Sequence, residues 1–135
     1  MGRKNRRKTI YIRRVPKIPE IVKPKRMDVW YAWLPMNRKT SVQGGSRPVV
    51  IISNDICNER SETLTVLPLT TQIKHTGMPT HVLVGSLEEG CPESMVLAEQ
   101  VMTIGKSQLG RKVGNIALFS SEIERALLEQ VGIGR

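Results

Sequence analysis

The residues with the clearest chemical capacity stand where polar loops meet apolar runs. Arg47 lies in SVQGGSRPVVIISND, between a glycine-bearing loop and four consecutive β-branched residues. Pro48 biases Arg47 toward extended backbone and is itself tolerated as the first residue of a strand. Arg47 is therefore expected at the lip of a buried strand, on the face shared by Val49 and Ile51. A guanidinium placed there has a planar fork suited to phosphate and stays protonated at physiological pH. The same position also fits a structural ion pair with a carboxylate, and the local sequence alone favours that simpler role.

Other groups are less specific. Pro68-Leu69-Thr70-Thr71-Gln72 ends an apolar stretch in three hydrogen-bonding side chains, a common setting for site residues and equally for plain turns. Glu99-Gln100 follows another apolar stretch and could supply polar contacts or a carboxylate. His75 falls in a polar loop and His81 in an expected strand, with no ligand spacing to each other or to a cysteine. Neither a metal site nor a cofactor is expected. Cys57 and Cys91 are too few for a disulfide scaffold and read as reduced, partly buried thiols. Trp30, Tyr31 and Trp33 carry three of the five aromatic rings. Alternation sets Trp30 on one face and the other two opposite. Core or subunit-interface packing is expected for at least two of them, with base stacking as the other use.

These groups need a scaffold, and 135 residues suffice for one modest core plus a tail. The net charge of +9 is unevenly spread: residues 1–26 carry +10 and residues 27–135 carry −1. The basic character thus belongs to a proline-containing tail, residues 1–24, that self-repulsion keeps extended. Phosphate contacts to nucleic acid and a purely solubilising role suit that tail about equally, and anionic lipid suits it less. No apolar run approaches the roughly 20 residues of a membrane span. No apolar segment of signal-peptide type follows the basic start, so a cytoplasmic protein without membrane contact is expected.

Short strands are predicted at Asp28–Leu34, Pro48–Ser53, Thr63–Leu69, Thr80–Val84 and Ser94–Leu97, with extended chain over Glu99–Ile104. Pro68 should confine its strand to an edge or a bulge. A helical turn is expected at Lys106–Leu109. A C-terminal helix should start from a Ser121/Glu124 capping box, bury Ile123, Ala126, Leu127 and Val131, and stop at Gly132. Many strands and few helices predict a mainly β protein with some α, a small β-barrel, over a parallel α/β sheet.

The combination resembles the MazF/PemK family of type II toxin endoribonucleases. The resemblance rests on Lys25-Arg26, the DVWYA-L pattern, QGGSRPVVIISNDICNERS, PLTTQ, PTHV and SMVLAEQVMTIGKSQLG, and spans residues 25–135. It implies an SH3-like barrel with a C-terminal helix, forming a homodimer that pairs with an antitoxin protein. It implies metal-independent, sequence-selective cleavage of single-stranded RNA, in which a 2′-hydroxyl attacks phosphorus and leaves a 2′,3′-cyclic phosphate. The family's essential arginine falls on Arg47 and its essential threonine on Thr70. Ser41, Gln43, Asn54, Gln72, Glu99 and Gln100 become candidates to line the RNA channel. Several positions depart from the family pattern. Met27 replaces a usual glycine, Trp33 an acidic or polar residue, and Val42 a glutamate. Met102 and Gly105 stand for an arginine and an aspartate. Those two leave room for an alternative, a catalytically weakened nucleic-acid-binding or regulatory module whose affinity comes from the tail.

Overall fold

The computed structural model describes residues 23–36, 39–40 and 44–134. Seven strands form a curled antiparallel sheet, a half-barrel: β1 Asp28–Leu34, β2 Gly45–Ile51, β3 Thr63–Thr70, β4 His81–Ser86, β5 Glu93–Leu97, β6 Met102–Gly105 and β7 Leu109–Asn115. Their order is β4-β5-β3-β2-β1-β7, with β6 added beside β3. A short helix α1 (Asp55–Arg60) follows β2, and α2 (Ser120–Val131) closes the chain.

Side-chain alternation divides the interior into two cores. One gathers Val29, Val50, Leu67, Leu69, Val82 and Val96 against Ile123 and Ala126 of α2. The other gathers Trp30, Ala32, Leu34, Val49, Ile51, Leu64, Val66 and Ile104. Neighbours along one strand, such as Val49 and Val50, thus serve opposite cores, which explains the unbroken apolar run. It also settles the aromatics: Trp30 is buried, Tyr31 is half-buried and Trp33 is exposed.

β3 is not an edge strand, which rules out one of the two placements expected from Pro68. β2 pairs with it through Val49–Pro68, Val50–Leu67 and Ile51–Val66. On its other side β6 pairs with Thr63–Val66, and β5 takes over at Leu69 and Thr70. Ile52 N donates to Thr65 O at 2.9 Å, and Thr65 N donates to Ser53 Oγ at 3.1 Å, so Thr65 points its polar groups at β2. Alternation then turns the nitrogen of Pro68 to the other side, into the interval where β6 has ended and β5 has not begun. The missing N–H falls where no strand asks for it.

Other boundaries moved as well. The Lys106–Gln108 turn is a 3₁₀ segment, as the sequence predicts. Ala98–Gln100 is also 3₁₀ in place of extended chain. The Ser121/Glu124 capping box does not form, because a 3₁₀ turn at Ala117–Phe119 starts the helix earlier, with Phe119 at its N-cap. Ser121 consequently lies inside α2, and Glu124 turns to Arg26, 3.0 Å away. Gly132 ends the helix as expected, with φ of 74°. Cys57 and Cys91 are free but exposed, a correction to their expected partial burial. α1 and β7 were not foreseen. Asn54 caps α1 by accepting from Cys57 N, and the buried Asn58 amide ties the helix to Ser53 O at 2.8 Å.

Met27 is buried with φ of 72°, a left-handed conformation that explains why glycine would be usual there. Its side chain joins the α2-facing core. Replacing it by glycine would relieve about 1–2 kcal/mol of backbone strain and forfeit roughly 2–5 kcal/mol of buried methionine packing. Met27→Gly is therefore expected to destabilise by about 1–3 kcal/mol, read as a lower urea midpoint at unchanged m-value. A midpoint above that of the parent would reverse the ranking of the two effects.

Asp55 gives a pH prediction. Its carboxylate accepts Arg26 N at 2.7 Å and Asn58 Nδ2 at 3.1 Å, and the backbone hydrogen bond from Arg26 chiefly holds its pKa below the usual value. A depressed carboxylate pKa stabilises the fold above the unfolded-state pKa and loses that contribution as pH falls through the folded one. Asp55→Asn should flatten the acid limb of stability against pH, and equal acid limbs in the two proteins would rule the linkage out.

Candidate active site

Arg47 and Thr70 meet at one end of the half-barrel. Continued two residues past the Val49–Pro68 pair, the β2–β3 register sets Arg47 across from Thr70. Both line a cavity of about 300 Å³, together with Tyr31, Ser46, Glu88 and Cys91 among others.

The Gly-Gly loop positions the guanidinium. A Cβ on Gly44 would fall 2.8 Å from both Met36 Cα and Pro35 O, so the chain passes there only as glycine. Gly45 adopts φ of 79°, which glycine alone accepts without strain. The turn so formed aims the Gly44 carbonyl at Arg47 Nε, 2.8 Å away. That hydrogen bond fixes one edge of the fork and leaves the N–H groups of the two terminal nitrogens for an anion. None of the ion pairs among the described residues involves Arg47. Across the cavity Thr70 is buried, and its Oγ1 accepts from Gln72 N at 3.0 Å. With the acceptor side engaged, the hydroxyl proton is available to donate. A fixed cation facing a fixed hydroxyl donor suits a phosphate group.

The other sequence candidates are dispersed. Ser41 and Gln43 lie outside the described residues. Asn54 has its side-chain oxygen engaged in capping α1. Gln72 is exposed two residues beyond Thr70, and Gln100 is half-buried. Glu99 Oε2 lies 2.8 Å from His81 Nε2, whose Nδ1 faces His75 O at 2.9 Å. The two histidines are thus joined through a backbone carbonyl, with Glu99 as the carboxylate partner. None of Asn54, Gln72, Glu99 or Gln100 lines the Arg47–Thr70 cavity. Met102 and Gly105 lie on β6, against the far end of β3 from Thr70. Met102 packs on the second core. Among the described residues no three His, Cys, Asp or Glu side chains are grouped to hold a metal ion, and no helix is long and apolar enough to cross a membrane.

Sequence reasoning did not single out Glu88, which lines the cavity, or Arg111, which pairs with it. Arg111 on β7 donates Nη1 to Glu88 Oε1 at 3.0 Å and sits 5.0 Å from the Tyr31 ring centroid. Nothing local in either segment signals the pair, since its partners come from opposite ends of the sheet.

The curled half-barrel with a C-terminal helix is the architecture of small toxin endoribonucleases. The fold is shared with an endoribonuclease solved with its cognate antitoxin from a mycobacterial species, 24% identical with a TM-score of 0.67 over 83% of this chain and 98% of that one. It is shared equally with MazF from Deinococcus radiodurans, 22% identical with a TM-score of 0.66 over 83% and 99% of the two chains. In sequence, endoribonuclease EndoA of Bacillus subtilis (strain 168) is 42% identical over 94 residues, 68% of this chain and 79% of that protein. The family described as PemK-like, MazF-like toxin of type II toxin-antitoxin system matches residues 25–131. The chain belongs to that family.

The clip between Gly44 and Arg47 makes a prediction independent of activity. Gly44→Ala should push the loop off Pro35 and Met36, so that the Arg47 Nε–H resonance shifts and exchanges faster with solvent. An unmoved, still protected resonance would mean that the turn does not need its glycine.

Proposed function

We propose that the chain is a sequence-selective endoribonuclease that cleaves single-stranded RNA without a metal ion, as the toxin of a toxin-antitoxin pair. The observation that carries this reading is the convergence of Arg47 and Thr70 on one cavity, set by the β2–β3 register. In the reaction a 2′-hydroxyl oxygen bonds to the adjacent phosphorus while the bond from phosphorus to the 5′-oxygen breaks. The products are a 2′,3′-cyclic phosphate and a 5′-hydroxyl, the proton given up by the 2′-oxygen to water being matched by one the 5′-oxygen takes from water. Negative charge builds on the non-bridging oxygens at the pentavalent stage, where the clipped Arg47 fork neutralises it. Thr70, fixed through Gln72 N, donates its hydroxyl proton to one of those oxygens or holds the reacting hydroxyl. Both groups are in place before substrate arrives, so little reorganisation opposes the step.

The working form is a cytoplasmic homodimer, held in check by a cognate antitoxin. Ser41, Gln43, Asn54, Gln72, Glu99 and Gln100 contact the RNA along its length, the described four from outside the Arg47–Thr70 cavity. Residues 1–24 form a separate basic tail that adds phosphate contacts, and the domain occupies 25–135.

Purified protein incubated with mixed single-stranded RNA in EDTA should yield fragments ending in cyclic phosphate. Arg47→Ala is expected to slow cleavage by about 10²–10³-fold, as loss of one fixed transition-state donor does. Thr70→Val should lower the rate in the same direction. A strand with 2′-deoxyribose at the scissile nucleotide should resist, because its nucleophile is gone. Equal cleavage by the parent and Arg47→Ala would sink the proposal.

A further inference from the structure

Among the described residues Glu88 is the one acid lining the Arg47–Thr70 cavity. A carboxylate there would repel an incoming phosphate unless something neutralises it. Arg111 does so with both terminal nitrogens, Nη1 to Oε1 at 3.0 Å and Nη2 to Oε2 at 3.3 Å. The guanidinium in turn holds the Glu88 carboxyl below its usual range. The pair is exposed, at 59% and 36% of the two side chains, so it adds little to folding and is easily exchanged. A guanidinium that grips a carboxylate by two parallel hydrogen bonds grips a phosphate in the same geometry. Arg111 also has a second support, the Tyr31 ring 5.0 Å beneath it, which would keep the guanidinium at the cavity after Glu88 lets go.

We propose that Arg111 is a second phosphate-binding residue of this site, contacting a nucleotide beside the scissile one, and that Glu88 occupies its guanidinium until RNA displaces it. The carboxylate stands in for the ligand, holding Arg111 in a binding-ready pose and setting a threshold that weak anions do not cross. This inference rests on the endoribonuclease reading above and gives that site a second cation. It also gives the carboxylate a regulatory use, since strengthening the Glu88–Arg111 pair would weaken RNA binding.

The test uses the full chain and a mixed-sequence single-stranded RNA, 2′-O-methylated so that it binds without being cut. Affinity is measured at stepped salt for the parent, Glu88→Gln, Arg111→Gln, Arg111→Lys and the double variant Glu88→Gln/Arg111→Gln. Glu88→Gln should bind several-fold tighter than the parent. Arg111→Gln should bind roughly tenfold weaker, with the slope of log affinity against log salt reduced by about 0.7, as for one lost phosphate contact on a single strand. Arg111→Lys, which keeps the charge without the fork, should fall between. The double variant should remain about tenfold weaker than Glu88→Gln. Two results would overturn the proposal. Equal weakening by both single variants would make the pair a mere bolt between strands. No effect of Arg111→Gln in the Glu88→Gln background would make Arg111 only a screen for the carboxylate. Should Arg111→Gln fail to fold, Glu88→Gln and Arg111→Lys carry the same opposed signs. Unmodified RNA in EDTA separates the two levels. A parent that cleaves while these signs fail removes only this inference, whereas a parent that neither binds nor cleaves removes the endoribonuclease reading as well.

Discussion

Three antiparallel pairs between β2 and β3, Val49 with Pro68, Val50 with Leu67 and Ile51 with Val66, fix where everything else in this protein can be. A slip of β3 by one residue would turn its side chains over, sending Leu67 to the face that holds Trp30 and Ile104 and Val66 to the face under α2. The same slip would carry Arg47 past Thr70. Packing and site geometry therefore rest on one register, and that register is held by side chains buried on both faces. β3 can serve as the shared strand because Pro68, its only residue without an N–H, lies between the territories of β6 and β5. Burial of apolar area supplies the energy; the hand-over between partner strands supplies the shape.

Charge is distributed to match. Residues 27–135 are close to neutral, so in the proposed function a polyanion is met by a few placed cations and not by a diffuse basic surface. Arg47 is fixed by its own loop and Arg111 by Glu88 and Tyr31. In the proposed function the tail adds the opposite kind of attraction, long-ranged, screened by salt and indifferent to sequence. Such a division lets encounter and recognition depend on different parts of the chain.

Strands β1 and β3 were legible because their residues are β-branched, aromatic or alternating, and a proline or polar cluster marks their ends. β7, LGRKVGN, was not, since two glycines and two cations give it no apolar rhythm; it exists because β1 offers a partner through an irregular register. α1 was hidden by its six-residue length and because Asn54, its cap, reads as well for a ligand contact as for a helix start. The α2 start was misplaced because Ser121 and Glu124 have capping-box spacing, while the 3₁₀ turn before them begins the helix upstream. At the site, Arg47 and Thr70 were readable from strand-end position and family resemblance. Glu88 with Arg111 was not, because a pair 23 residues apart and joined across a curled sheet leaves no local trace.

One further consequence follows from the Gly44 carbonyl that clips Arg47. Because the guanidinium is oriented by its own turn, and that turn rests on Pro35 and Met36, the segment joining Met36 to Gly44 is not needed to aim it. A change between Met36 and Gly44 that preserves this turn would leave the charge at the cavity in place. In the proposed function chemistry and recognition would thereby be insulated within a stretch of a dozen residues or so. In the proposed function a lineage could change the RNA sequence it reads without re-inventing the step that cuts it.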